Sequence, residues 1–128
     1  MRTNNSVVTW TGAATKSMGA TITSDPFPVR NMDLGVFYIT VSASTSPVGT
    51  FTLEGCVDQG EDPGTGNDGI TGLSTWVAMT GYSQAITNDG TTAFRVVDVA
   101  ERWLRVKYTR TSGSGTVAVR VNAKGRAA

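Results

Sequence analysis

From residue 34 onward the side chains alternate between apolar and polar with a period of two, and that alternation restricts the chain to β structure. Successive side chains of a strand point to opposite faces, so a period of two lines one face with apolar groups. In 34–43, Phe37, Ile39 and Val41 alternate with Tyr38 and Thr40. In 49–57, Phe51, Leu53 and Val57 face away from Thr52 and Glu54. Leu104, Val106 and Tyr108 repeat the pattern in 102–110, as do Val117, Val119 and Val121 in 116–124. No stretch sustains a 3.6-residue period between caps. Residues 98–105 suit at most one helical turn, and their β-branched flanks favour a strand or a tight corner.

The breaks between these runs are turn-forming. Pro47 and Gly49 separate the first two and predict a β-hairpin. Thr111, Ser112, Gly113, Ser114 and Gly115 separate the last two and predict a second hairpin, because its glycines reach positive φ at little cost. Asn88-Asp89-Gly90 is another turn signal, between short strands expected at 75–79 and 92–99. In the first thirty residues, 7–10 and 20–23 read as short strands. Asp25-Pro26-Phe27-Pro28 belongs at an edge or corner, since proline donates nothing to a ladder. About eight strands with regular turn signals predict an all-β, antiparallel sandwich, of jelly-roll type. One layer alone would leave Phe37, Phe51, Leu104 and the valines wet. The 128 residues suit one domain, with 1–15 expected as an extended N-terminal arm.

Composition narrows the function. Net charge is +1, so no global field attracts nucleic acid or a membrane surface. No apolar run approaches the ~20 residues of a spanning helix. Residues 1–10 lack the apolar core of a signal peptide, so the chain is expected to fold where it is made. Cys56 is the only cysteine, which rules out an internal disulfide and suits a small buried hydrophobe. There is no histidine, which removes the commonest general base and transition-metal ligand together.

The remaining candidates for chemistry are sparse. Residues 58–72 form an acidic, glycine-rich loop in which Asp58, Glu61, Asp62 and Asp68 offer oxygens to calcium, but their spacing does not match an EF-hand. A solvated loop is the simpler expectation. Glu54, Asp98 and Glu101 are read as ordinary carboxylates rather than a glycosidase pair. No nucleophile elbow or phosphate loop is present. No cofactor and no metal are therefore expected, and the chain is expected not to be an enzyme. The predicted last hairpin has a cationic outer face, with Arg105, Lys107, Arg120 and Lys124 side by side and Arg110 and Arg126 beyond. Like charges gathered on one patch cost stability unless something pairs with them; a solvated face is the simpler expectation, and an acidic protein partner is the functional one. Nucleic acid is disfavoured for lack of stacking aromatics. Trp10 is placed with these residues as a partner-binding candidate. Outward placement of Trp76 and Trp103 would leave room for a glycan.

Residues 101–116, reading ERWLRVKYTRTSGSGT, resemble a motif of small tailed-phage virion proteins, in which an aromatic and arginine-rich strand leads into a final strand. Upstream, GTFTLEG at 49–55 followed by a loop and Thr75-Trp76-Val77 is similar to the same proteins, so the resemblance spans roughly 34–125. It implies a β-sandwich or jelly-roll virion component, nearest in role to a capsid cement or decoration protein on a phage head. The partners implied are the major capsid protein and copies of the chain itself, in a homo-oligomer on the virion, with no membrane. A glycan- or receptor-binding module of a phage tail is the alternative.

Overall fold

The computed structural model describes residues 2–29, 32–57, 75–97 and 101–125. Eight strands follow one another: β1 (Arg2–Val8), β2 (Thr15–Ser17), β3 (Ile22–Thr23), β4 (Phe27–Pro28), β5 (Met32–Cys56), β6 (Val77–Ile86), β7 (Gly90–Val97) and β8 (Trp103–Gly125). They form one antiparallel sheet, folded onto itself.

Two strands determine its shape. β5 has 25 residues and β8 has 23. A straight strand of the β5 length would run roughly 80 Å, against a radius of gyration of about 14 Å expected for a chain this long. Both must bend, and they bend together. They pair from Met32 opposite Gly125 to Cys56 opposite Trp103, with register shifts between Ser42 and Gly49. At that corner Ala43, Ser46 and Gly113 take φ values of 50°, 44° and 80°.

The bend makes two layers from one sheet. The first runs β7, residues 34–41 of β5, residues 117–124 of β8, then β1. The second runs β6, residues 49–56 of β5, residues 103–110 of β8, then β3 and β4. Let each half of β5 and β8 count as a strand, and β3 with β4 as one. The first layer then holds the first, eighth, third and sixth segments, and the second layer holds the second, seventh, fourth and fifth. That is the strand order of a jelly roll. Phe27 meets Phe37 across the interior edge-on at 6.0 Å, and Tyr82 meets Phe94 at 6.1 Å. Phe37, Ile39 and Val119 from one layer and Phe51, Leu53, Leu104 and Val106 from the other are fully buried. Each such side chain stabilises the fold by about 1.5–3 kcal/mol.

Two sequence expectations are corrected here. Neither predicted hairpin exists. Residues 34–43 and 49–57 do not pair with each other, nor do 102–110 and 116–124; each half pairs with its counterpart on the other long strand. Asn88 and Asp89 likewise connect β6 in one layer to β7 in the other, and Asp89 fixes this crossing by accepting from the Ser44 amide at 3.0 Å. The proline expectation holds: β4 lies at the layer edge, opposite Leu104 and Trp103.

The second correction is the N-terminal arm. β1 pairs along β8 from Arg2 opposite Gly125 to Val8 opposite Val119, so this segment is an edge strand. Trp10, at 1% exposure, belongs to the core rather than to a partner-binding surface. The chain then reverses between Trp10 and Ala13, with Thr11 at φ 55° and Gly12 at φ 84°, the two positive values of a type I′ turn. The Asp25 carboxylate clamps this turn. It accepts from the Thr9 hydroxyl at 2.5 Å and from the Thr11 and Gly12 amides at 3.0 and 3.3 Å. Burial pushes the Asp25 carboxyl up, but these bonds outweigh it, Thr9 first and then Thr11 and Gly12, and hold it below its ordinary value.

Two outcomes follow for stability. A Cβ at Gly113 would overlap the Ser46 carbonyl and lie 2.6 Å from the Pro47 Cα, at a φ that alanine resists. Gly113→Ala should therefore cost about 2 kcal/mol or more in urea unfolding, as a lower midpoint with unchanged slope. For Asp25 the folded pKa is depressed, so its stabilisation is full above the unfolded value of about 3.9 and disappears as pH falls through the folded value. Asp25→Asn should lower the melting temperature at pH 7 and flatten the fall in stability below about pH 4. An unchanged acid limb in the variant would show that the clamp does not act electrostatically.

Candidate interaction surface

The four predicted cations are not brought together. Because β8 turns the corner between them, Arg105 and Lys107 face outward from the second layer, while Arg120 and Lys124 face outward from the first. The single patch expected from a hairpin is therefore split between opposite faces of the sandwich. Arg110 sits at the corner, donating from Nε to the Gly113 carbonyl at 2.9 Å. Arg126, Asp98 and the acidic loop segment 58–68 lie outside the described residues.

On the second layer, Arg105 has a structural role. It faces Glu54 across the strands and donates from Nε to Oε1 at 2.7 Å, with the two side chains 22% and 11% exposed. Its guanidinium also lies 4.2 Å from the centre of the Trp76 ring. Lys107, between Thr23 and Thr52, is half-buried. Trp76 is half-buried and Trp103 is buried, so the outward stacking platform contemplated for a glycan is not formed by these rings. Cys56 is buried too.

The outer face of the first layer differs. Four cross-strand rows follow from its register. Val97, Leu34 and Lys124 form one, and Arg95, Val36 and Asn122 the next. Ala93, Tyr38, Arg120 and Val7 form the third, and Thr91, Thr40 and Ala118 the fourth. Val7, Tyr38 and Val97 are 41%, 41% and 53% exposed, and Arg95, Arg120 and Lys124 are exposed among them. None of these four rows contains a carboxylate. Exposed apolar area and exposed cations are thus interleaved on this face. Only Arg120 and Lys124 of this face were anticipated. Tyr38, Arg95 and Val97 were visible as the off-phase positions of two alternating runs, but nothing local says that those runs are neighbours.

One concavity lies at the end of the sandwich. A cavity of about 330 Å³ is lined by Gly55, Val57, Val77, Met79 and Glu101, among others. Glu101 packs over Gly55 so closely that a Cβ there would lie 2.6 Å from its Cγ. Among the described residues, no group of three or more Cys, Asp or Glu side chains is placed to hold a metal ion.

No protein-family model and no curated protein matches the chain. Among solved structures it is similar to the SPBc2 prophage-derived protein YomS, with a TM-score of 0.57 and 11% identity over 97% of this chain and 96% of that one. At that identity the likeness is one of fold.

Glu54→Ala would leave the Arg105 guanidinium half-buried without its carboxylate, at a cost of about 2–3 kcal/mol. Double-mutant cycles with Arg105→Met should show coupling, and Trp76 fluorescence should shift as the stacked cation relaxes. Additive losses would mean that the pair is not a unit.

Proposed function

We propose that the chain is a non-enzymatic structural protein of a phage virion, a cement or decoration protein that binds and stabilises the assembled head. The observation that carries this is the outer face of the first layer. There Arg95 and Lys124 are exposed beside Tyr38, Val7 and Val97, and the rows that hold them contain no carboxylate. Such a face complements the acidic exterior of another protein. Two further facts support the phage assignment: the resemblance of 101–116 to small virion proteins, and a shared fold with a protein of prophage origin.

The physics of decoration suits this molecule. A single contact through one small face is weak, but a shell presents the same acidic surface many times over. A rigid two-layer body binds such a lattice with little loss of conformational freedom. In this reading the chain is made in the host cytoplasm and resides on the virion, with the major capsid protein as its partner.

The test is co-sedimentation of the purified chain with heads assembled from the major capsid protein of the same genome. Saturable binding to expanded heads, with a raised head melting temperature, is the expected result. Arg95→Glu combined with Lys124→Glu should weaken it by about tenfold or more, and raised salt should do the same. Failure to bind any assembled shell, or equal binding by the double variant, would overturn the assignment of this face. Binding to tail fibres or glycans instead would place the protein elsewhere on the particle.

A further inference from the structure

The open edges of the two layers are not alike. In the second layer, β6 is interrupted: Thr52 pairs with Ser83 but Glu54 with Ala78, so the strand bulges around Gly81, at φ 90°. The opposite edge consists of β3 and β4, two residues each, with Pro28 in the latter. Bulges, short strands and proline all discourage pairing with another chain. In the first layer, the β1 edge has Asn4, Asn5 and Ser6 at its centre, residues poorly suited to a ladder.

β7 has none of these protections. It pairs with β5 without a break from Gly90 opposite Val41 to Val97 opposite Leu34. Its sequence, GTTAFRVV, contains no proline and no lysine. Among the described residues, no strand pairs along its other side. One row of backbone donors and acceptors is thus left as a template, flanked by exposed Val97 and backed by buried Phe94 and Val96.

We infer that β7 is the self-association edge, and that two copies pair β7 to β7 antiparallel about a twofold axis normal to the first layer. An antiparallel strand is its own complement under such an axis, so the occupant that fits best is a second copy of this chain. Charge selects the register. Centring the axis on Arg95 would set two guanidiniums opposite each other, which is unfavourable. Centring it on Phe94 places Arg95 opposite Ala93 and Thr91 opposite Val97, and keeps buried and outward positions in phase. The result is a continuous first layer of twice the width. Both outer faces stay on the same side, so Arg95, Arg120 and Lys124 of the two copies form one broad surface. The pairing stands on the edge alone. It deepens the cement reading by making each unit bivalent, but does not depend on it.

The full chain should show a reversible monomer–dimer equilibrium by sedimentation velocity in the micromolar range. Hydrogen exchange at high concentration should newly protect alternate amides of β7 and leave those of β6 unchanged. Ala93→Lys places a cation opposite Arg95 of the other copy and should weaken the dimer by about tenfold. Ala85→Lys, at an exposed position on the bulged β6 edge, should not. Matching melting temperatures would confirm that both variants fold. A wild-type monomer up to about 1 mM, protection confined to another edge, or equal weakening by the two variants would overturn the inference. Head binding by a strictly monomeric chain would sink this pairing while leaving the cement reading intact; a dimer that ignores heads would do the reverse.

Discussion

Everything in this fold depends on β5 and β8 turning the same corner as a paired ribbon. Neither strand could bend alone without losing its ladder, and neither could stay straight in a domain of this size. The bend is made by backbone rather than by side-chain contacts. Ala43 and Ser46 take positive φ on one strand and Gly113 on the other, and the carbonyl of Ser46 lies where a Cβ of residue 113 would be. A second close approach follows just past the corner. Gly49 lies so near the Tyr108 ring that any side chain there would displace it, and that ring packs at 4.8 Å on Phe51. Glycine is thus required twice where the ribbon enters the second layer.

Alternation survives translation from sequence to structure because it follows from strand geometry alone. Phe37, Ile39, Val41, Leu104, Val106, Val117, Val119 and Val121 all reach the core as their period demands. Pairing partners are different. A glycine- and serine-rich break between two alternating runs suits a hairpin, where the halves pair with each other, and equally a corner, where they part to different layers. Locally the two are the same: small residues and positive φ. What separates them is a second strand of matching length that begins at Trp103, far along the chain from Met32, a non-local fact. The same limitation hid Trp10. A lone tryptophan near a terminus reads as available for binding, and only the register of β1 along β8 places it inside. The Asp25 clamp was hidden too, since its partners at Thr9, Thr11 and Gly12 lie more than a dozen residues upstream.

Mistaking a corner for a hairpin alters the functional picture more than the fold class. On a hairpin, Arg105, Lys107, Arg120 and Lys124 would form one dense cationic patch. On a shared corner they divide between two faces with different fates. Arg105 is held by Glu54 and Trp76 in a half-buried cluster, where its charge is locally balanced. Arg120 and Lys124 join Arg95 from β7, a strand distant in sequence, on a face with exposed apolar groups. The second layer thus engages its arginine in internal cohesion, while Arg95 and Lys124 are exposed on the first.

Sharing two strands between both layers also couples that outer face to the core. Tyr38 and Arg120 alternate with Phe37, Ile39, Val119 and Val121 on the same strand halves, so a shift that moves the exposed row must also move buried side chains. Neither layer can open alone, because opening either one breaks the ladder of the central pair. Local fluctuation is left to the edge strands, which among the described residues hold on by one neighbour each. A surface built this way keeps its shape when a partner approaches, so little binding energy is lost to ordering it. The variable part of any contact then falls on the edges, where β7 presents an unbroken ladder and β6 a bulge. Rigidity in the centre and, among the described residues, an unbroken ladder at the β7 edge are thus two consequences of one topology.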